Sequence, residues 1–357
     1  MKKLVCAAMA AVMITAAVCA DGFNASGYVR AGIASTVEKN PKLTTNKWLD
    51  GIYFTGDSEK TRGRLNLSYD STNDNGSYGA FVRLQSSDSD FTLKDDFKSA
   101  WDSTHNLFSY ADVYAGFLGN KVTFAAGKLI DNWIESSGFE GYSVLDGLTG
   151  GAVTISPIAG LNLTGAAVID YSKNDDKTAF ETKKESFLGG ARYTNDVFAA
   201  SLSGAGYGAF TADLKYTGIK GLSISAEGEY ETADGRDVLG GQELVTNLWV
   251  EYTGIDKLTL GLLSFQYYNQ KAIDSDNDFT LTVTPAAAYQ VNAIVKLSAE
   301  GTYTQAFYDD APDAYAVITP AVTLAADKTA SANIWASIST DTDQTPTSIG
   351  MGVKKTF

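Results

Sequence analysis

From Gly22 onward, apolar and polar residues alternate with a period of two. Phe23, Ala25, Val29, Ala31 and Ile33 interleave with Asn24, Ser26, Tyr28 and Arg30. After a long polar stretch, Leu65, Leu67 and Tyr69 alternate with Arg62, Arg64, Asn66 and Ser68. The tight turn 71–76 then returns the chain into Tyr78, Ala80, Val82 and Leu84. The last strand repeats the scheme, with Ile349, Met351 and Val353 set against Gly350, Gly352 and Lys354, and the sequence ends on Phe357. Such alternation predicts strands with one apolar and one polar face. A terminal edge strand invites aggregation, so a last strand of this kind is expected to pair with the first and close a barrel.

The rhythm predicts strands at 22–34, 60–70, 77–86, 106–118, 121–129, 149–156, 160–171, 186–194, 196–204, 207–217, 221–231, 242–253, 257–268, 278–289, 291–305, 312–324, 327–339 and 347–357. That is eighteen, or sixteen if the pair around Gly204 to Gly208 does not span. Short turns and long polar connections alternate along the whole chain. A soluble sandwich does not sort its connections this way, whereas a transmembrane antiparallel β-barrel has short periplasmic turns and long external loops. Tyr69, Phe117, Tyr193, Tyr216, Tyr252 and Tyr289 add a second signal. Each lies near a tight turn and shares parity with its strand's apolar face, as an interfacial aromatic girdle would. With this many strands the interior is too wide for side chains to fill, which implies an aqueous channel.

Composition agrees with that picture and removes other classes. The chain has 34 Gly, 6 Pro, 19 Tyr and 17 Phe, a profile of many strands, tight turns and aromatic belts. Its 28 basic and 42 acidic residues give a net charge of −14, which argues against nucleic acid as a partner. Residues 1–20 read as a secretory signal peptide: Lys2 and Lys3, an apolar run from Leu4 to Ala17, and a small residue, Ala20, before Asp21. Cys19 leaves a lipidated N-terminus as the rival reading. Both cysteines, Cys6 and Cys19, lie in this segment, so residues 21–357, assigned to the barrel, form no disulfide.

The stretch Tyr110-Ala-Asp-Val-Tyr-Ala-Gly-Phe-Leu-Gly-Asn-Lys-Val-Thr-Phe-Ala-Ala-Gly-Lys128 resembles a hairpin of the general bacterial outer-membrane porins. The segment Gly22 to Gly32 and the terminal Phe357 are similar to the same family. Lys128 departs from it, standing where the family carries Arg. The resemblance implies an outer-membrane diffusion channel for small hydrophilic solutes and ions, embedded in lipid and assembled as a homotrimer. It also implies that Phe357 is part of the signal read by the outer-membrane assembly machinery.

In that family the loop corresponding to 130–148 folds inward and narrows the pore. Here it carries Asp131, Glu135, Glu140 and Asp146 with no Lys or Arg. Arg30, Arg62, Arg64 and Arg83 have the parity opposite to their strands' apolar faces and are expected to line the lumen. Lys128 shares parity with Val122 and Phe124, so only a bulge or its position at the strand end would turn it inward. Acids facing arginines across a constriction would create a transverse field that selects solutes by charge. The plainer reading is an acidic external loop with arginines reaching toward the rim.

Other chemistry is thin. Asp274, Asp276 and Asp278 mimic the start of a calcium loop, but Phe279 and Pro285 occupy its glycine and glutamate positions, so no metal site is assigned. Trp249 and Trp335 have lumen parity and read as steric filling, with stacking on sugar rings as the sharper alternative. His105 is the only histidine, no phosphate-cradling loop precedes a helix, and no cofactor or enzymatic activity is expected. The acidic balance predicts a mild cation preference. A surface adhesin or structural barrel, a sugar-selective porin and a secreted soluble β-rich lipoprotein remain as alternatives.

Overall fold

The computed structural model describes residues 22–37, 43–44, 48–50, 53–55, 62–85, 108–129, 149–173, 180–206, 208–231, 244–268, 279–307, 311, 313–343 and 345–357. Eighteen long strands form one antiparallel sheet. The first six are β1 Phe23–Thr36, β2 Arg62–Asn73, β3 Gly76–Gln85, β4 Phe108–Phe117, β5 Val122–Lys128 and β6 Thr149–Ile158. Next come β7 Leu161–Lys173, β8 Phe180–Thr194, β9 Phe198–Ala205, β10 Ala209–Tyr216, β11 Leu222–Glu231 and β12 Leu244–Ile255. The circuit finishes with β13 Leu258–Tyr268, β14 Phe279–Gln290, β15 Val295–Phe307, β16 Tyr315–Ala325, β17 Ala330–Ser339 and β18 Ser348–Thr356.

Each strand pairs with its sequence neighbours, and β18 pairs with β1 from Tyr28↔Thr356 to Thr36↔Ser348. The sheet therefore closes on itself and leaves no long edge. The tight bend between β9 and β10 joins two true barrel strands, paired from Phe198↔Tyr216 to Gly204↔Phe210, so the count is eighteen and not sixteen. Following the pairing once around returns to β1 displaced by about 22 residues. For eighteen strands that shear gives a tilt of about 40° and a backbone diameter of about 35 Å.

Two departures from the sequence pattern occur at the loop end. Strand β8 begins at Phe180, inside a stretch expected to be loop, and pairs with β7 past a register shift at Asp170/Tyr171. The first long connection contains the short strands Leu43–Thr44, Trp48–Asp50 and Tyr53–Thr55, the first of them added to the end of β1. Backbone pairing continues in both places after apolar alternation has ended, because ladder hydrogen bonds need no apolar face.

The alternation sorts as expected. Val29, Ile33, Val113, Phe117, Phe124, Leu202, Ile334, Ile349, Met351 and Val353 point outward and are exposed. Arg30, Asp112, Thr154, Thr164, Asp213, Glu227, Asn333 and Ser337 point inward and are buried. A barrel inverts the layout of a soluble core, with apolar groups outside and polar groups within. Tyr69, Phe117, Tyr193 and Tyr289 are all exposed on the outer row at the turn end. Among the described residues no helix is long and apolar enough to cross a membrane.

The turns are held by side chains that mimic backbone partners. Leu118, Gly119 and Asn120 occupy the left-handed region in succession (φ 56°, 67° and 65°). Asn120 offsets that strain by reaching across to the neighbouring turn. Its Oδ1 accepts from the Ser77 amide at 2.7 Å, its Nδ2 donates to Ser77 Oγ at 3.0 Å, and the Gly119 amide donates to the Asn75 carbonyl at 2.8 Å.

Candidate functional site: two charged walls in the barrel interior

The inward row near the seam gathers cations. Tyr28 on β1 lies opposite Arg64 on β2, and Arg30 lies opposite Lys354 on β18 and Arg62 on β2. Arg30 Cζ, Arg64 Cζ and Lys354 Nζ stand 5.5, 5.4 and 5.2 Å from the Tyr28 ring centroid. An aromatic face attracts cations through its quadrupole, so one ring lets three like charges share a small area. Arg64 Nε donates to Gln85 Oε1 at 2.6 Å, and Arg83 Nε donates to Asn66 Oδ1 at 2.9 Å. Both are charge-assisted hydrogen bonds that fix the orientation of the guanidinium.

Half a circuit away, the inward row of β10 and β11 is predominantly acidic, with Lys215 as its one described cation. Asp213 lies opposite Glu227, and Glu229 opposite Thr211; all three carboxylates are on the inward row and buried, Glu229 at 2% exposure. Ser201 Oγ donates to Asp213, and Ser203 shares a 2.6 Å hydrogen bond with Thr211. When the register is carried around the sheet, Asp213 and Glu227 lie within about two residue rises of Arg30, Arg64, Arg83 and Lys354 along the barrel axis. Glu229 sits slightly nearer the loop end. The two walls therefore face each other at one height.

Between them the inward row mixes neutral groups with the ionisable side chains Asp112, Arg192 and Glu300. Thr154 and Thr164 bond at 2.8 Å, and Thr284 and Thr302 at 3.1 Å. Asn333 is 1% exposed with neither amide atom partnered. Trp335 lies across Gly350 and joins Ala34 and Ala321, while Trp249 packs against Ala286 and Ala288. Both indoles fill wall space, as the plainer reading expected.

Of the residues singled out from sequence, Arg30, Arg64 and Arg83 come together on one wall, and the backbone of Arg62 is in register with Arg30. Lys128 pairs with Ala111 in the row of Phe124 and Phe117, with no register shift in either of its ladders, so it lies outside this cluster. The signal segment 1–20, the loop acids Asp131, Glu135, Glu140 and Asp146, and the Asp274 to Asp278 stretch are outside the described residues. No group of metal-ligating side chains occurs among the described residues. The wall acids Asp213, Glu227 and Glu229 are not among the residues singled out from sequence. Their parity, opposite to Leu214, Ala226 and Tyr230, carries the same signal that found the arginines.

The site thus belongs to a closed eighteen-stranded barrel with a charged, two-walled interior. No family model matches the chain, and no curated protein matches it. Among solved structures, a loop-deletion variant of OmpT, an outer membrane protein of Vibrio cholerae, aligns at 13% identity and a TM-score of 0.47. That alignment covers 94% of this chain and 99% of the other. Two engineered variants of Rh. blastica porin align at 15% identity and a TM-score of 0.49, covering 94% of this chain and all of theirs. At such values the likeness transfers no residue role, and the functional reading rests on the chain's own geometry.

Proposed function

We propose that the protein is an outer-membrane porin, a passive channel through which small hydrophilic solutes and ions diffuse, exported by its N-terminal signal segment. The observation that carries this reading is the pair of facing charged walls inside a closed barrel whose outer row is apolar and exposed. A continuous apolar belt of this extent is unfavourable in water and satisfied in lipid, where a closed barrel also meets every backbone hydrogen-bonding requirement. Charges of opposite sign across a partly desolvated lumen orient and sort polar solutes while slowing apolar ones. The inward-folded acidic loop 130–148 would add to the acidic side. The overall acidic balance favours cations mildly, moderated by the arginine wall.

Liposome swelling with sugars of graded size is the test. Swelling that declines with sugar size supports the channel, and no swelling with the smallest sugar rejects it. The deep burial of the inward row favours one second reading, a plugged barrel that anchors its external loops as an adhesin or structural protein. That reading predicts intact insertion without swelling.

The outer face also supports self-association, which the family resemblance gives as trimeric. At the loop end, described outward side chains on β8, β10, β11 and β15 are aromatic: Phe187, Phe210, Tyr230, Tyr303 and Phe307. On β16 to β18 and β1 they are aliphatic: Ile318, Ile334, Ile338, Ile349, Met351 and Ile33. Interfacial aromatics mark lipid contact, and their replacement by flat aliphatic rows suits packing against another copy. Crosslinking in mild detergent checks this, with a monomer alone as the contrary result.

A further inference from the structure

Glycine weakens a strand because it exposes backbone and packs no side chain, and an aromatic ring laid across it from the next strand restores the cover. The barrel uses this arrangement on both sides of its last strand. On the lumen side the Trp335 indole of β17 lies over Gly350, its register partner in β18. A Cβ added to Gly350 would run into the Trp335 ring at Cζ2. On the outer side the roles reverse across the seam. The Gly27 and Phe357 backbones exchange two hydrogen bonds of 3.0 Å each, and the Phe357 ring covers Gly27, where an added Cβ would meet the Arg64 carbonyl of β2 first and then the ring Cζ at 2.9 Å. Phe357 nevertheless keeps 48% of its surface exposed, so the ring rests on β1 while facing outward.

We propose that Gly27 is the seat for the Phe357 ring and acts as a positioning residue for barrel closure. The ring fixes the register of β18 on β1, and Trp335 over Gly350 holds the same strand from the opposite face. A one-residue slip at the seam would turn every outward side chain of β18 into the lumen. It would also lift the ring from the only side-chain-free position in this part of the β1 outer row, since its neighbours there are Ala25 and Val29. The glycine therefore marks the correct register by shape, and the two backbone bonds complete it. This inference rests on the closure of the barrel and is independent of whether the lumen conducts.

The test is refolding of the purified full chain from urea into phospholipid vesicles, followed by the appearance of the compact, heat-modifiable band. Phe357→Ala is expected to slow closure by about tenfold and Gly27→Val by more, because its side chain also meets the Arg64 carbonyl; the double variant is expected to be no more than about twofold slower than Gly27→Val, because the ring contact is already lost in both singles. Phe357→Tyr is expected to retain the wild-type rate, and Gly301→Ala, whose added Cβ meets nothing within 4 Å, to leave it unchanged. If Gly27→Val yields no folded protein, the same cycle is run with Gly27→Ala and Phe357→Leu. Wild-type closure of the Gly27 variant, or a double-variant rate equal to the product of the singles, overturns the proposal.

Discussion

The seam sector, β18 and β1 to β3, and the opposite sector, β9 to β11, are built from the same alternating strands but are held in different ways. At the seam, cations crowd one tyrosine ring, and neighbouring turns are joined by Asn120. A third brace is Asp327, which ties the β16–β17 turn to Lys355 of the last strand at 3.5 Å. In the opposite sector, hydroxyl and carboxylate groups bond directly across adjacent strands, and β9 and β10 are joined by a short bend. Hairpin strands are held together by their own connection, whereas β1 and β18 are joined by a contact between the two ends of the chain. That closure carries a larger loop-entropy cost, and side-chain braces offset part of it.

The comparison breaks most directly in the lumen. Replacing Arg30, Arg64 and Arg83 together by Gln is expected to raise the cation-to-anion permeability ratio by about twofold or more. Replacing Asp213 by Asn with Glu227 and Glu229 by Gln should lower it by a similar factor. Reversal potentials in a salt gradient measure both. Equal ratios in the two variants and the wild type would mean that the walls do not face the conducting path, and clear anion selectivity of the wild type would refute the cation preference.

A smaller effect is expected at the turns. Asn120→Ala removes two hydrogen bonds between turns and should lower the thermal midpoint of the heat-modifiable form, by about 1–2 kcal/mol of stability. Asn195 accepts from Val197 and Phe198 within its own turn, at 3.0 and 2.9 Å. Asn195→Ala is expected to cost about 1 kcal/mol or less, since only a local cap is lost. Equal losses would show that bridging between turns adds nothing.

The smallest effect concerns Asp327, a fully exposed turn residue. Hydrogen bonds from the Thr329 hydroxyl and amide, then from the Ala330 amide, with the nearby Lys355 charge, pull its carboxyl down from 3.8 to about 2. A depressed carboxyl stabilises the fold above its unfolded value and loses that contribution as pH falls through the folded one. The advantage of wild type over Asp327→Asn is therefore expected to be constant above about pH 5 and to fade between about pH 4 and pH 2. A difference in midpoint that does not change over that range would refute it.

Much of this was legible before any coordinates. The strand number, the outward aromatics and the inward arginines follow from period-two alternation, which leaves a strand no choice of face once one side meets lipid. Phe180 to Glu185, read as loop, belongs to a strand because ladder pairing outlasts the apolar pattern. The wall acids were equally visible by parity but meant nothing until β10 and β11 were placed opposite β1 and β2.

The sequence by itself determined which residues face outward and which inward, because that depends only on local alternation. The tertiary structure decided what no local pattern encodes: the shear of about 22 that sets the width, the equal height of the two charged walls, and the meeting of Gly27 with Phe357. These are sums over every strand pairing in the circuit. A change of one residue in any of them would move them all.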